Sequence, residues 1–271
     1  MVAEATFPST PVPAWPGRVT HFGSWAIGLG AVLLAVSGPL NRYTPLNVPF
    51  AVPLLAAGVI VLLVGTPLAL VGLLAALAKR APAARGLALL AVAASLALLA
   101  YLFAWLRAGL AAPPIPEIST DLATPPPFVE LVRLRARAGA LHPPGYVAEI
   151  VGRRQRLNVA ATQVRAYPDI QPAWLEGVPP SQAFARAAGV AQALGWRIVA
   201  SVPEEGRIEA TDTSRFFGFQ DDIVIRLRAE AGGTRIDLRS KSRVGFGYGL
   251  GDVGGNAARV RRFLARLEAA P

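Results

Sequence analysis

The sequence predicts a two-part protein: a membrane α-helical bundle of three transmembrane helices, then an α+β domain with an antiparallel sheet of about four strands and two helices on one face. Three observations lead there. Three apolar stretches without a charged residue follow one another in the first 110 residues. Four stretches of alternating apolar and polar residues succeed one another between Trp196 and Ser242. Two helical patterns, one before and one after those four, each carry a single apolar face.

Residues 1–21 are polar and proline-rich, with Pro8, Pro11, Pro13 and Pro16. They lack the apolar core of a signal peptide and are expected to form a disordered cytoplasmic tail. The anchor, 22–110, contains Phe22 to Gly38, Phe50 to Ala78 and Gly86 to Leu106. A bilayer core takes roughly 20 apolar residues as helix, so each stretch is long enough to span it or nearly so. The second is long and is expected to tilt, with Pro53 in its first turn and a bend at Pro67. The loop after it holds Lys79, Arg80 and Arg85, whereas the loop before it holds Arg42 alone. The positive-inside bias then puts the amino terminus in the cytoplasm and the carboxy-terminal domain in the periplasm of a bacterial inner membrane. Tyr101, Phe103 and Trp105 are expected as an aromatic belt at the outer interface. Gly58, Gly65 and Gly72 recur every seven residues and form a flat stripe on one helix face. Such a stripe packs inside the chain's own bundle or docks onto another membrane protein. Without intramembrane charge, the bundle reads as an anchor and not a transporter.

Residues 111–127 are proline-rich and predict an extended, semi-rigid linker. The domain proper is expected over 128–271. "FVELVRLRARAG" predicts a helix, and Asn158 to Val164 a short strand. "SQAFARAAGVAQALG" predicts a helix with Ser181 as N-cap and Gly195 at its end. Four strands follow, in "WRIVASV", "GRIEATD", "DDIVIRLRAE" and "TRIDLRSKS", with "PEEG" and "EAGG" as turns. The last helix is expected from Asp252, its cap, to Glu268. Trp196, Ile208, Ile223, Ile225, Ile236 and Leu238 point to the helices. The opposite face is expected to be open and charged, with Arg pairing Asp or Glu across neighbouring strands.

Composition narrows the chemistry. The 271 residues include no cysteine, which excludes disulfides, thiolate metal sites and a cysteine nucleophile. The net charge of +10 divides into +5 on each side of residue 113. Membrane topology accounts for the first share, and the second is too small to predict nucleic-acid binding. All the basic residues except Lys79 and Lys241 are arginine, as a GC-rich coding bias produces.

"GLGDVGGNAARV", Gly249 to Val260, has the letters of the G-x-G-x-x-G dinucleotide fingerprint. That fingerprint needs a βαβ unit, and the strand before it here belongs to an antiparallel hairpin, so no cofactor is expected. A weaker reading remains. The helix start at Gly254 and Gly255, with Arg226, Arg239, Arg243 and Arg259, is a candidate site for an anion or ligand. Asp212, Asp221 and Asp222, with Glu209 nearby, are metal or acid–base candidates. Their commoner role is pairing with arginine, and adjacent Asp221 and Asp222 point to opposite faces of a strand. Ser240, Lys241 and Ser242 also alternate in direction, which strains a Ser–Lys pair, and His142 sits between loop residues. Phe216, Phe217 and Phe219, with Phe246 and Tyr248, form an exposed patch for lipid or protein, or else cap the sheet edge.

"ISTDLATPPPF", "YPDI", "GWRIV", "GRIEATDTSRFFGFQDDIVIR", "DLRSKSRVG" and "GNAARVRRFLARL" together resemble the domain of unknown function 1499 family, over about Ile118 to Leu267. The resemblance implies a fold and placement behind membrane spans. It assigns no chemistry. Here "FGYGLG" stands as an insertion before the Asp-x-Gly-x-Asn-Ala step. The expectation is a non-enzymatic, inner-membrane-anchored protein with a periplasmic partner-binding module, as an accessory or assembly subunit of a larger membrane complex. Its expected partners are membrane lipid and other membrane protein subunits, not nucleic acid. The alternatives are a binding module for an anionic lipid or small metabolite, and a membrane-anchored hydrolase around Asp212, Asp221 and Ser242.

Overall fold

The computed structural model describes residues 14–44, 48–78, 82–151, 156–244 and 253–269. The expected tail over 1–13, Lys79, Arg80, Phe246, Tyr248 and Asp252 lie outside the described residues. The chain divides into two compact units, with the boundary between Ala104 and Trp105.

The first unit is helical. Helix α1 spans Trp15–Tyr43, α2 Val48–Ala78 and α3 Pro82–Ala111, and each holds a segment long and apolar enough to cross a membrane. Helix α1 starts within the expected tail, because a proline in its first turn lacks only an N–H that has no helical partner there. Pro53 and Pro67 both lie within the single helix α2. The glycine stripe faces α1. A methyl group added at Gly58 would lie 3.0 Å from Gly30 O, and one at Gly65 would lie 3.0 Å from Ala26 Cβ; one at Gly72 would lie 2.8 Å from Thr20 Cα. Inside lipid, close backbone approach supplies the packing that apolar burial cannot. Of the two uses expected of Gly58, Gly65 and Gly72, the stripe serves packing inside the chain's own bundle, with α1 in the place a docking helix would take. Ala88, Ala91 and Val92 of α3 complete the core with Ile27, Leu34, Leu62 and Ala69. Buried Ser37, Thr66 and Ser95 return their hydroxyl protons to carbonyls of their own helices at 2.7–3.0 Å.

The second unit is an antiparallel sheet with helices. In chain order its elements are β1 (Glu117–Ser119), α4 (Glu130–Arg137), β2 (Glu149–Val151), β3 (Arg156–Asn158), α5 (Val159–Ala166), β4 (Ala173–Glu176), α6 (Pro180–Ala193), β5 (Arg197–Val202), β6 (Arg207–Thr213), β7 (Gln220–Glu230), β8 (Gly233–Ser242) and α7 (Gly255–Ala269). The main sheet runs β1-β8-β7-β6-β5, and β4 also pairs with β8, beyond β1 on the same edge. The four alternating stretches are β5 to β8; short turns join β5 to β6 and β7 to β8, and residues 214–219 join β6 to β7. At the "PEEG" turn, Gly206 has φ +61°, and a side chain there would meet the Leu227 carbonyl.

Helices α6 and α7 cover one face. Phe184, Ala187, Val190, Val260, Phe263 and Leu267 pack on Ile208, Ile223, Ile225, Ile236 and Leu238 in a closed core. Trp196 stacks on Phe263 with ring centres 5.5 Å apart. The two helices cap each other: Arg186 of α6 donates to the Leu267 and Glu268 carbonyls, and Arg266 of α7 donates to Ala193 O at 2.9 Å.

Four local expectations are corrected. The expected linker over 111–127 is part of the domain: Ile115 and Ile118 are core residues, and β1 lies inside the stretch. Its apolar positions found a sheet edge to bury against. Asn158 to Val164 is a helix start, because the Asn158 side chain accepts from Ala161 N at 2.8 Å and Val159 and Gln163 share a buried face. Helix α6 is capped from Pro179, not Ser181, since Pro180 suits the first helical position. The charged sheet face is not open over most of its extent: Glu209, Asp222, Asp237, Arg239 and Lys241 are buried, and only the arginines at one end stay partly exposed.

Candidate functional site

Alternation places Arg207, Glu209, Thr211, Asp222, Arg226, Arg228, Arg235, Asp237, Arg239 and Lys241 on the sheet face away from α6 and α7. The chain from Thr120 to Tyr146 crosses that face. Phe128 and Leu131 bury themselves against Val224, and the charged side chains around them are sealed in. Glu117, Glu209, Asp222, Asp237, Arg239 and Lys241 are fully buried or within one per cent of it. Buried charge is costly unless it is paired and hydrogen-bonded. Here it is organised in four groups.

Glu117 of β1 holds the first. Its Oε2 accepts from Arg239 Nε at 2.7 Å, and its Oε1 accepts from Lys241 Nζ and from Val147 N, both at 2.8 Å. Arg239 gives its other protons to the Pro126 and Pro144 carbonyls, and Lys241 donates to Gly145 O at 2.7 Å. The Phe128 and Tyr146 rings lie 4.7 and 5.8 Å from the Arg239 guanidinium. Burial pushes the Lys241 ammonium down to about 8, with Glu117 opposing the shift. Burial also pushes the Tyr146 phenol up to about 12. His142 is lowered by burial, then by Lys241 and Arg135.

Asp222 holds the second. Its Oδ2 accepts from Arg135 Nη1 of α4 and from Arg243 Nε, both at 2.8 Å. Its Oδ1 accepts from Arg243 Nη2 at 2.7 Å and from Thr211 Oγ1 at 2.9 Å. Arg135 reaches on to the His142 and Ser242 carbonyls. Burial lowers its pKa, against the opposing pull of Asp222.

Glu209 holds the third and acts as a remote helix cap. No side chain local to α4 caps it. Instead Glu209 Oε1 accepts from Val129 N at 2.9 Å and Glu130 N at 3.2 Å, and Oε2 accepts from Leu131 N at 2.8 Å. A carboxylate there satisfies orphan amides and meets the positive end of the helix dipole. Arg207 pairs with Glu209 from the side.

The fourth group is half-exposed. Asp121 and Asp237 receive the guanidiniums of Arg226, Arg228 and Arg235 at 2.9–3.4 Å. Burial works to raise Asp121, but hydrogen bonds from Thr124 and the charges of Arg226 and Arg235 outweigh it and hold the carboxyl down at about 2. Asp121 and Arg235 also line a cleft of about 400 Å³ with Thr120, Gln163, Tyr167 and Gln171. Gln163 closes the β1 edge beside it: its amide donates to Ser119 O at 2.6 Å and accepts from Ser119 N at 3.0 Å, in place of another strand.

The other sheet face ends in a smaller polar cluster. Arg259 of α7 donates to Asp212 Oδ2 at 2.8 Å, Asp221 Oδ2 at 2.5 Å, Ser240 Oγ at 3.1 Å and Asn256 Oδ1 at 3.0 Å. Burial opposes its charge, but Asp221 and Asp212 prevail and raise its pKa. Ser242 Oγ accepts from Asn256 Nδ2 at 3.1 Å.

The predicted site residues are thus brought together in part and reassigned. Arg239 and Arg243 are spent on Glu117 and Asp222, on the face away from Gly254 and Gly255, and Arg259 is spent on Asp212 and Asp221. The anion site expected at the start of α7 therefore loses the arginines it needed. Asp212, Asp221 and Asp222, the metal candidates, each hold an arginine, and Asp221 and Asp222 do so on opposite faces. No group of three metal-ligating side chains occurs among the described residues. At the β6–β7 tip Phe217 stacks on Phe219 with ring centres 5.1 Å apart, Phe216 meets Phe217 edge to face at 4.9 Å, and Phe216 is 46% exposed. Their companions Phe246 and Tyr248 lie outside the described residues.

The residues that sequence reasoning missed are Glu117, Asp121, Arg135, Gln163, Arg228, Arg235, Asp237 and Asn256. Arg135 carried a signal, since it stands four residues after Leu131 on the buried face of its helix. Asp121 carried one too, in the D-x-x-T pattern of an Asx turn, where it accepts from Ala123 N and Thr124 N.

The family described as "Protein of unknown function (DUF1499)" matches residues 117–267, more than half of the chain, and the chain belongs to that family. The match opens on Glu117, the carboxylate of the first buried group, and closes on Leu267, whose carbonyl Arg186 caps. No curated protein matches the chain.

Proposed function

We propose that this protein is a non-enzymatic, membrane-anchored module whose second unit binds a protein partner, as an accessory or assembly subunit of a larger membrane complex. The three apolar helices are its anchor. The basic residues Lys79, Arg80 and Arg85, between the second and third apolar stretches of the sequence, support a bacterial inner-membrane orientation with the amino terminus in the cytoplasm and the second unit in the periplasm.

The observation that carries the reading is the use to which the ionisable groups are put. Asp212, Asp221, Asp222, Glu117, Glu209 and Lys241 bind one another, arginines or helix amides inside the domain. A general acid or base has to reach a substrate proton, and groups so placed instead hold a segment against the sheet. Asp212, Asp221 and Ser242, the residues of the hydrolase alternative, are bonded to Arg259 and Asn256. The exposed Phe216 ring, set edge to face on Phe217, supplies an apolar contact point for a partner.

The test is native detergent extraction of the full chain followed by identification of what co-purifies. A membrane protein recovered in fixed stoichiometry, and lost with Phe216→Asp, supports the reading. A monomer that carries no protein overturns it. A phosphatase fused after the last helix checks the orientation, and an inactive fusion reverses it.

A further inference from the structure

Arg228 and Arg235 stand directly opposite each other on β7 and β8, on the same face of the sheet. Like charges in that position repel and destabilise a ladder. Arg226 stands next in the row and faces Arg207 on β6. Three guanidiniums thus share two carboxylates, Asp121 and Asp237, and the cluster carries a surplus positive charge. Its oxygens are already crowded: Asp121 Oδ2 alone lies within 2.9–3.4 Å of Arg226, Arg228 and Arg235.

The donors are not used up. Among the described residues, no hydrogen bond is made by Nη1 of Arg226, Arg228 or Arg235, and Arg228 Nε is buried without a partner. The three side chains are 19%, 38% and 29% exposed, partly desolvated but open to a ligand. Trp174 on β4 faces Arg235 in register and is 44% exposed, which adds an aromatic surface beside the cations. Arg235 also opens onto the cleft lined by Thr120, Gln163, Tyr167 and Gln171.

We infer that Arg226, Arg228 and Arg235 form a binding site for a phosphate-type oxyanion, carried by a free phosphate ester or by a phospholipid headgroup. A guanidinium fork matches the geometry of phosphate oxygens, and several charge-assisted bonds are available at once. A phosphate oxyanion brings the acceptor oxygens the free donors lack, more than offsets the single surplus charge and relieves the Arg228–Arg235 repulsion. The site takes over Arg226 from the anion site expected at the start of α7, but lies on the opposite face of the sheet, and it stands independently of the partner-binding proposal.

The experiment uses the full chain in nanodiscs of phosphatidylcholine at low chloride. Inorganic phosphate is titrated by calorimetry, and separate nanodiscs include phosphatidic acid, with the thermal midpoint as readout. Saturable phosphate binding that falls roughly tenfold or more in Arg228→Gln and in Arg235→Gln supports a site that takes free phosphate esters. A thermal shift with phosphatidic acid but not with free phosphate, lost in the same two variants, assigns the site to a headgroup. Native chain that responds to neither probe overturns the inference, whatever the variants do. Variants that fold and bind like the native chain overturn it as well.

Discussion

Asp221 and Asp222, neighbours on β7, hold arginines on opposite faces of the sheet. Asp221 Oδ2 accepts from Arg259 of α7 at 2.5 Å, and Asp222 Oδ2 accepts from Arg135 of α4 at 2.8 Å. One dipeptide therefore ties both covering layers to the central strand, and this arrangement sets what substitutions in the domain should do.

Asp222→Ala leaves Arg135 and Arg243 buried without their carboxylate. Removing one partner of a buried ion pair costs about 3–5 kcal/mol. Equilibrium unfolding of the full chain in detergent, followed by near-ultraviolet circular dichroism, should show that loss. A change below about 1 kcal/mol, the scale of an exposed pair, would mean that the α4 face is not closed as described.

Glu209→Gln keeps the shape of the remote cap and removes its charge. The expected cost is about 1–2 kcal/mol, as for a lost helix cap. Hydrogen exchange discriminates better than stability here. The Val129, Glu130 and Leu131 amides should lose protection, while those of α7 keep theirs.

Asp121 sets an acid limit. Its folded pKa of about 2 lies below the ordinary 3.8. For a depressed carboxyl, the stabilisation is fully present above about pH 4 and is lost as pH falls through about 2. The gap corresponds to about 2 kcal/mol. Acid titration of the native chain against Asp121→Asn checks it: the variant should be the less stable of the two at pH 6, and the difference should vanish near pH 2. A constant difference down to pH 2 would contradict the assignment.

Gly65→Leu tests the anchor. Even the first carbon of that side chain meets Ala26 Cβ and Ile27 N at 3.0 Å. Overpacking of this kind costs about 1–3 kcal/mol. Unfolding of the native chain and the variant in mixed micelles with rising dodecyl sulfate measures it, with Gly28→Leu, where nothing lies within 4 Å, as the neutral comparison. Equal effects at the two positions would show that α1 does not pack on the stripe.

Much of this protein is written locally in its sequence. The apolar runs that become α1, α2 and α3, the alternation of β5 to β8, and the apolar faces of α6 and α7 are readable because each depends on residues a few positions apart. The opposed directions of Asp221 and Asp222 follow from the same period of two. What the tertiary structure alone decided is everything that joins distant segments. Glu117 meets Arg239 across 122 positions, Asp121 meets Arg226 across 105, and Arg135 meets Asp222 across 87. The stretch 111–127 reads as linker until a β8 edge is there for β1 to pair with, and the charged sheet face reads as open until Phe128 and Leu131 find Val224. The physical reason is that a charged side chain looks the same in sequence whether water or a carboxylate will solvate it. Its role is settled only when the fold removes the water and supplies the partner.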